Sequence, residues 1–175
     1  MHEIWIIGTN PPCPRCGLLT HLIETIVSAE NKAATVRHLA YTDPKASDFA
    51  HTQGLIPGTA KDVARLLDLP IDPVLLNQCY DRRDDPENLP YEPYNQFGWT
   101  YALDQYLQPY EQAAKGVGIL MTPVLIINGQ LKHAGSVPPL ADLTRWRHRT
   151  RREGFCQTST GTSLTGTAAT PAGFF

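Results

Sequence analysis

The 175-residue chain is 42% hydrophobic and 18% charged, an ordinary globular composition that excludes a disordered, collagenous or disulfide-stapled chain. Fifteen Lys and Arg against seventeen Asp and Glu leave a formal charge of −2, so no global electrostatic pull toward nucleic acid or an acidic membrane surface is expected. No apolar run approaches the ~20 residues that span a bilayer, and Met1 to Gly8 carries Glu3 and no basic segment ahead of an apolar core, which predicts a cytoplasmic chain with no membrane partner.

Glu3 to Thr9, with Ile4, Trp5, Ile6 and Ile7, is a short β-favouring run closed by Thr9-Asn10-Pro11-Pro12 and reads as a buried strand. After Cys13 the residues Leu18, Leu19, Leu22, Ile23, Ile26 and Val27 recur at helical spacing, predicting an amphipathic helix that ends near Glu30-Asn31. Thr35 to Tyr41 reads as a second strand. The connection is long enough for a crossover, so the opening is a parallel β-α-β unit.

Residues 43–120 are too long for a loop and rich in helix starts, which predicts a helical insertion. Thr59 caps a helix over Ala60 to Leu69, and Asp72-Pro73 supplies a cap and a first-turn proline for a helix carrying Cys79 on its apolar side. Asp81 to Pro93 reads as an exposed connector. Thr100 to Lys115 is helical, with Pro109 expected to kink or divide it. Beyond it, Pro123 to Ile127 is a β run, and Asn128-Gly129 joins it to Leu131–Gly135 in a type I′ hairpin, a turn that requires positive φ at both central residues. Pro138-Pro139 opens a last helix through Leu140, Leu143 and Trp146, and from Gln157 the chain is Ser, Thr, Gly and Ala and is expected to be poorly ordered. One domain over residues 1–152, with the insertion at about 43–120 and a tail at 153–175, accounts for the pattern.

Four cysteines occupy positions 13, 16, 79 and 156, and only the first two are close in sequence. A thiol at the start of a helix is acidified by the unpaired N–H groups and the helix dipole, so Cys13 is the candidate nucleophile. Arg15 adds a cation, while Pro14 removes one donor and sets φ. Cys16, one turn along, is placed to displace a mixed disulfide formed on Cys13. A lone C-x-x-C cannot close a four-ligand zinc site, and neither G-x-G-x-x-G nor G-x-x-x-x-G-K occurs, so no metal ligand and no cofactor is assigned. A metal-binding module that takes its other ligands from a partner, and a redox-dependent interaction protein without turnover, are the alternatives to an enzyme. Cys79 reads as a buried structural thiol, Cys156 as a chance exposed one, and the five arginines of Arg145 to Arg152 as a solvated helix end. The tyrosines and Trp99 of the insertion read mainly as core, although Trp99 and Phe97 would also serve as an apolar rim that selects partners.

The strand, Cys-Pro-Arg-Cys turn, helix and strand, together with Met121-Thr122-Pro123 entering a strand and an Asn-Gly hairpin, resemble the thioredoxin superfamily. The resemblance covers roughly residues 1–42 and 119–150. It implies an α/β, thioredoxin-like fold with a central mixed four-stranded sheet, flanking helices and a helical insertion. It further implies a cis Pro123 facing the cysteines, a Thr122 backbone that binds the substrate chain, and thiol-disulfide oxidoreductase activity. The implied partners are a disulfide-containing protein and an electron-donating reductase.

Overall fold

The computed structural model describes residues 2–29 and 33–149. It is an α/β fold. Strand β1 (His2–Gly8) leads through a turn into helix α1 (Pro14–Ala29), and β2 (Ala34–Ala40) returns parallel to β1. Strand β5 (Val124–Ile127) lies antiparallel on the other side of β1, and β6 (Gln130–Ala134) pairs antiparallel with β5, giving a mixed four-stranded sheet in the order β2-β1-β5-β6. Asn128 and Gly129 have φ of 50° and 74°, as their turn requires. Helix α7 starts at Leu140, just beyond the two prolines, and runs to Arg149.

Side-chain alternation on β1 sends neighbouring residues to opposite faces. Ile4 and Ile6, paired with Ile127 and Leu125, join the larger core under α1, whereas Ile7, paired with Val124, meets a second core on the other face. That second core is closed by helix α2 (Pro44–Thr52) through Ala46, Phe49 and Ala50. Sequence patterning missed α2, although Asp43 caps it by accepting from the N–H of Lys45 at 2.8 Å and Pro44 opens it.

The rest of the stretch between β2 and β5 holds a short strand β3 (Ile56–Gly58), α3 (Ala60–Leu66), α4 (Pro73–Asp81), a 3₁₀ turn (Pro86–Tyr91), α5 (Tyr94–Phe97), α6 (Tyr101–Ala114) and a strand β4 (Ile119–Met121). β3 and β4 form a separate parallel pair, another feature not read from sequence. Helix α3 stops short of Leu69 because Asp68 turns into the left-handed region with φ 52°. Asp72 caps α4 as expected, its Oδ1 accepting from Val74 at 2.7 Å.

Two expectations for this stretch are corrected. Of the two outcomes expected at Pro109, division does not occur: α6 runs unbroken through it, and Pro109 and Gln105, whose carbonyl it deprives of a donor, both lie on the exposed side, where that carbonyl is open to solvent. Nor is 81–93 merely an exposed connector. Asn88 is fully buried, its Nδ2 donating to the carbonyls of Arg82 and Arg83 at 2.8 and 3.1 Å and its Oδ1 accepting from the N–H of Tyr101 at 2.7 Å. The larger core joins residues of the sheet, of α1 and of the inserted helices, so the insertion is packed into the hydrophobic interior.

Trp99 is 1% exposed, and its indole donates to Asp104. It belongs to the core and cannot form part of an exposed rim. Phe97 is half-buried, packed against Gly17 and the ring of His21 on α1. Cys79 is buried as expected. Arg145 pairs with Asp142 at 3.2 Å, while Cys156, Arg151, Arg152 and the segment from Gln157 lie outside the described residues.

Candidate active site

Cys13 is the residue just before α1, in the N-cap position, and its backbone N–H donates to Thr9 Oγ1 at 2.7 Å. The thiol sulfur accepts from the backbone N–H of Cys16 at 3.3 Å, taking up one of the N–H groups a helix start leaves without an internal partner. Cys16 itself is fully buried, and the two sulfurs stand 2.7 Å apart as unbonded thiols.

The hydrogen bond from the Cys16 thiol, opposed by burial and reinforced by the Cys16 N–H, Arg15 and Thr9, brings the Cys13 thiol down to about 6. The same contact, with burial and the neighbouring Cys13 charge, pushes Cys16 far up. One thiolate and one thiol therefore share a proton donor and acceptor, and the partly exposed sulfur is the anion.

Gly8, at the end of β1, is what lets Cys16 approach. A Cβ there would lie 2.9 Å from Cys16 Sγ and 2.9 Å from Cε1 of His38 on β2. His38 Nε2 donates to the Thr9 carbonyl at 3.1 Å and Nδ1 meets Thr20 Oγ1 at 3.0 Å, while the Thr20 hydroxyl is 2.8 Å from the Cys16 carbonyl. The turn that carries Cys13 is thus tied to β2 and α1. Gly8→Ala should cost about 1–3 kcal/mol of stability through overpacking, read from urea unfolding of the reduced protein; an unchanged midpoint would mean that the cysteine turn is not held by this contact.

Arg15 is buried at 6% exposure, and its guanidinium reaches two groups. Nη1 donates to the Gly135 carbonyl, and Nε stands 3.8 Å from Asp104 Oδ1 on α6. Gly135 in turn donates its N–H to the Pro123 carbonyl at 2.9 Å, which links α1 to the start of β5. The Thr122–Pro123 bond is cis.

Asp104, beside Arg15, is a neighbour of the cysteine turn that sequence reasoning did not single out. Its Oδ2 accepts from Trp99 Nε1 and from the N–H of Val137, both at 3.0 Å, while buried Oδ1 accepts no hydrogen bond. Burial, only partly offset by Arg15 and these donors, pushes its carboxyl up to about 7. The signal was an acidic residue set beside Leu103 and Leu107 on the apolar side of a helix.

Cys13 and Thr122 border a cleft of about 390 Å³. Its remaining walls come largely from the insertion: Lys61 of α3, Leu76 and Tyr80 of α4, and Leu103 and Leu107 of α6. Burial, with the Cys13 charge adding to it, raises the Tyr80 phenol, so this residue of the cleft wall stays neutral. Thr122 has its backbone N–H already engaged, donating to the Gly58 carbonyl of β3 at 2.9 Å. Of the residues marked out from sequence, Cys13, Pro14, Arg15 and Thr122 all line the cleft, with Cys16 behind Cys13.

Among the described residues no three His, Cys, Asp or Glu side chains gather closely enough to hold a metal ion, and no helix is long and apolar enough to cross a membrane. Compared with protein-family models and with curated proteins, the chain matches none.

Proposed function

We propose that the protein is a thiol-disulfide oxidoreductase of thioredoxin-like fold, acting in the cytoplasm with Cys13 as nucleophile and Cys16 as resolving thiol. The observation that carries this reading is a partly exposed, acidified Cys13 at a helix start, in contact with a buried Cys16 thiol. The strand order β2-β1-β5-β6, with β1 and β2 parallel and β5 and β6 antiparallel, and the place of Thr122 on the cleft that Cys13 borders support it.

In the forward half-reaction the Cys13 thiolate attacks one sulfur of a substrate disulfide. A Cys13–substrate disulfide forms, the substrate S–S bond breaks, and the first thiolate leaves with the bonding pair and takes a proton from water. Cys16 then loses its proton and attacks the Cys13 sulfur, and the second substrate thiolate leaves and takes up that proton. Two electrons have passed from the protein dithiol to the disulfide. An external dithiol, in the cell a reductase, returns the protein to its starting form.

Equilibrating the protein with defined ratios of reduced and oxidised dithiothreitol or glutathione tests the reading. The pair should titrate as one two-electron couple between about −270 and −120 mV, the span from reducing to oxidising members of this chemistry. A protein whose Cys13 and Cys16 form no reversible bond under any such ratio is not an oxidoreductase of this kind.

A further inference from the structure

One way a protein chain is held at a site is by adding as a strand to an exposed sheet edge beside it, because main-chain hydrogen bonds then supply the affinity. In this molecule the backbone N–H of Thr122, on the cleft with Cys13, is already engaged by a strand of the chain itself. β3 runs parallel to β4 over Ile56–Gly58 and Ile119–Met121, and the Gly58 carbonyl takes the N–H of Thr122, the residue that borders the cleft beside Cys13. The chain then continues through Thr59, Ala60 and Lys61 along the same cleft. The insertion has supplied the strand that an incoming peptide would otherwise provide.

What is left open is the cleft itself. At about 390 Å³ it is near the lower end of small-molecule sites, which run from about 300 to 1,000 Å³ and are mostly apolar with a few polar groups. Ile71, Leu76, Leu103 and Leu107 provide the apolar part. The charged residues that line it are Lys61 and Arg15, with no acidic residue among them. Arg15 is committed to Gly135 and Asp104, whereas Lys61 is exposed and its ammonium has no ion pair among the described residues.

Resting on the oxidoreductase reading above, we infer that the site serves small disulfides with an apolar body and a negatively charged end, in preference to disulfides in protein chains. The apolar body lies along the leucines, a disulfide sulfur meets Cys13, and the anionic end faces Lys61. The electrons move as in the half-reaction already described, with the small disulfide reduced to its two thiols and a dithiol reductant regenerating the protein.

The test uses the full chain, reduced and freed of reductant, in single-turnover oxidation at low salt. The probes are the anionic aromatic disulfide 5,5′-dithiobis(2-nitrobenzoate), cationic cystamine, neutral 2-hydroxyethyl disulfide, and insulin as a protein disulfide. For Lys61→Glu, the ratio of the rate with the anionic probe to the rate with cystamine should fall about tenfold relative to the unaltered protein, because the charge beside the cleft changes by two units, from +1 to −1, and salt should shrink the effect. Lys61→Gln should give a smaller fall. Insulin should react more slowly, per disulfide, than the neutral probe. A ratio that Lys61→Glu leaves unmoved, or insulin outpacing the neutral probe, overturns this inference while the oxidoreductase reading stands. A protein that none of the four probes oxidises overturns both.

Discussion

Cys16→Ser should accumulate a stable mixed disulfide on Cys13, whereas Cys13→Ser should lose disulfide exchange by about a thousandfold or more, because the remaining thiol is fully buried, out of reach of a substrate sulfur, and burial by itself still disfavours its thiolate. At pH 7 a thiol with a pKa of about 6 is about nine-tenths ionised, against about one-hundredth for an unperturbed thiol near 9.0. That advantage of about ninetyfold is largely offset by lower intrinsic nucleophilicity, about twentyfold over three units at a Brønsted slope of 0.4–0.5. The net gain in attack is only a few-fold. The larger consequence falls on the return step, since an acidified Cys13 is a good leaving group when Cys16 displaces substrate from it or when a reductant opens the pair.

The cause of the acidity is separately testable. The largest lowering influence is the hydrogen bond from Cys16, so Cys16→Ala, which has no donor to offer, should move the midpoint of iodoacetamide alkylation from about 6 up toward the ordinary thiol value. Cys16→Ser retains a hydroxyl donor and should move it less. Equal trapping by Cys13→Ser and Cys16→Ser would remove the assignment of roles, and an alanine variant with an unmoved midpoint would transfer the acidity to Arg15 and the helix start.

Asp104→Asn should abolish a fall in stability that the unaltered protein shows as the pH rises from about 4 to about 7. A carboxyl whose folded pKa is raised from 3.8 to about 7 binds its proton more tightly in the native state. Its contribution is complete below the unfolded value and is lost as the pH climbs through the folded one, about 4 kcal/mol at most for a shift of this size. Cys13 acts in the opposite sense: its lowered pKa contributes stability above about 9 that is lost as the pH falls through about 6. Measuring urea unfolding in a Cys13→Ser background removes that second titration.

Two effects compete at pH 8. Removing one member of a buried ion pair costs about 3–5 kcal/mol when the pair is well made. Here Nε and Oδ1 are 3.8 Å apart and Oδ1 accepts no hydrogen bond, so the desolvation cost of the carboxylate outweighs the attraction. The asparagine variant should match the parent at pH 4 and equal or exceed it at pH 8. A variant that loses several kcal/mol at pH 8 with the pH slope intact would show Asp104 to be an ionised partner of Arg15.

Local chemistry was enough to read the four sheet strands, α1, α3, α4, α6 and the Asn128-Gly129 turn, because each rests on spacing, capping or φ preference within a few residues. The pairing of Cys13 with Cys16 was legible for the same reason: three residues at a helix start bring two sulfurs to one turn. Helix α2 carried a legible signal as well, since Asp43-Pro44 offers the same cap as Asp72-Pro73, but its short apolar set of Ala46, Phe49 and Ala50 is weak without the sheet face that buries it. The three-residue strands β3 and β4 have no periodicity to detect; each is a strand only because the other supplies its hydrogen bonds. Asn88 looked like connector chemistry because its three bonding partners, Arg82, Arg83 and Tyr101, are gathered only by folding. Gly8 and Thr9, at the end of β1, and His38, on β2, surround the cysteines, and Asp104 arrives from a helix almost ninety residues away in sequence. Chain composition within a window decides which segments become helix or strand and which thiol is acidified. The charge that faces Arg15, the strand that covers Thr122 and the walls of the cleft are set by long-range packing, whose energy comes from burying surfaces distant in sequence.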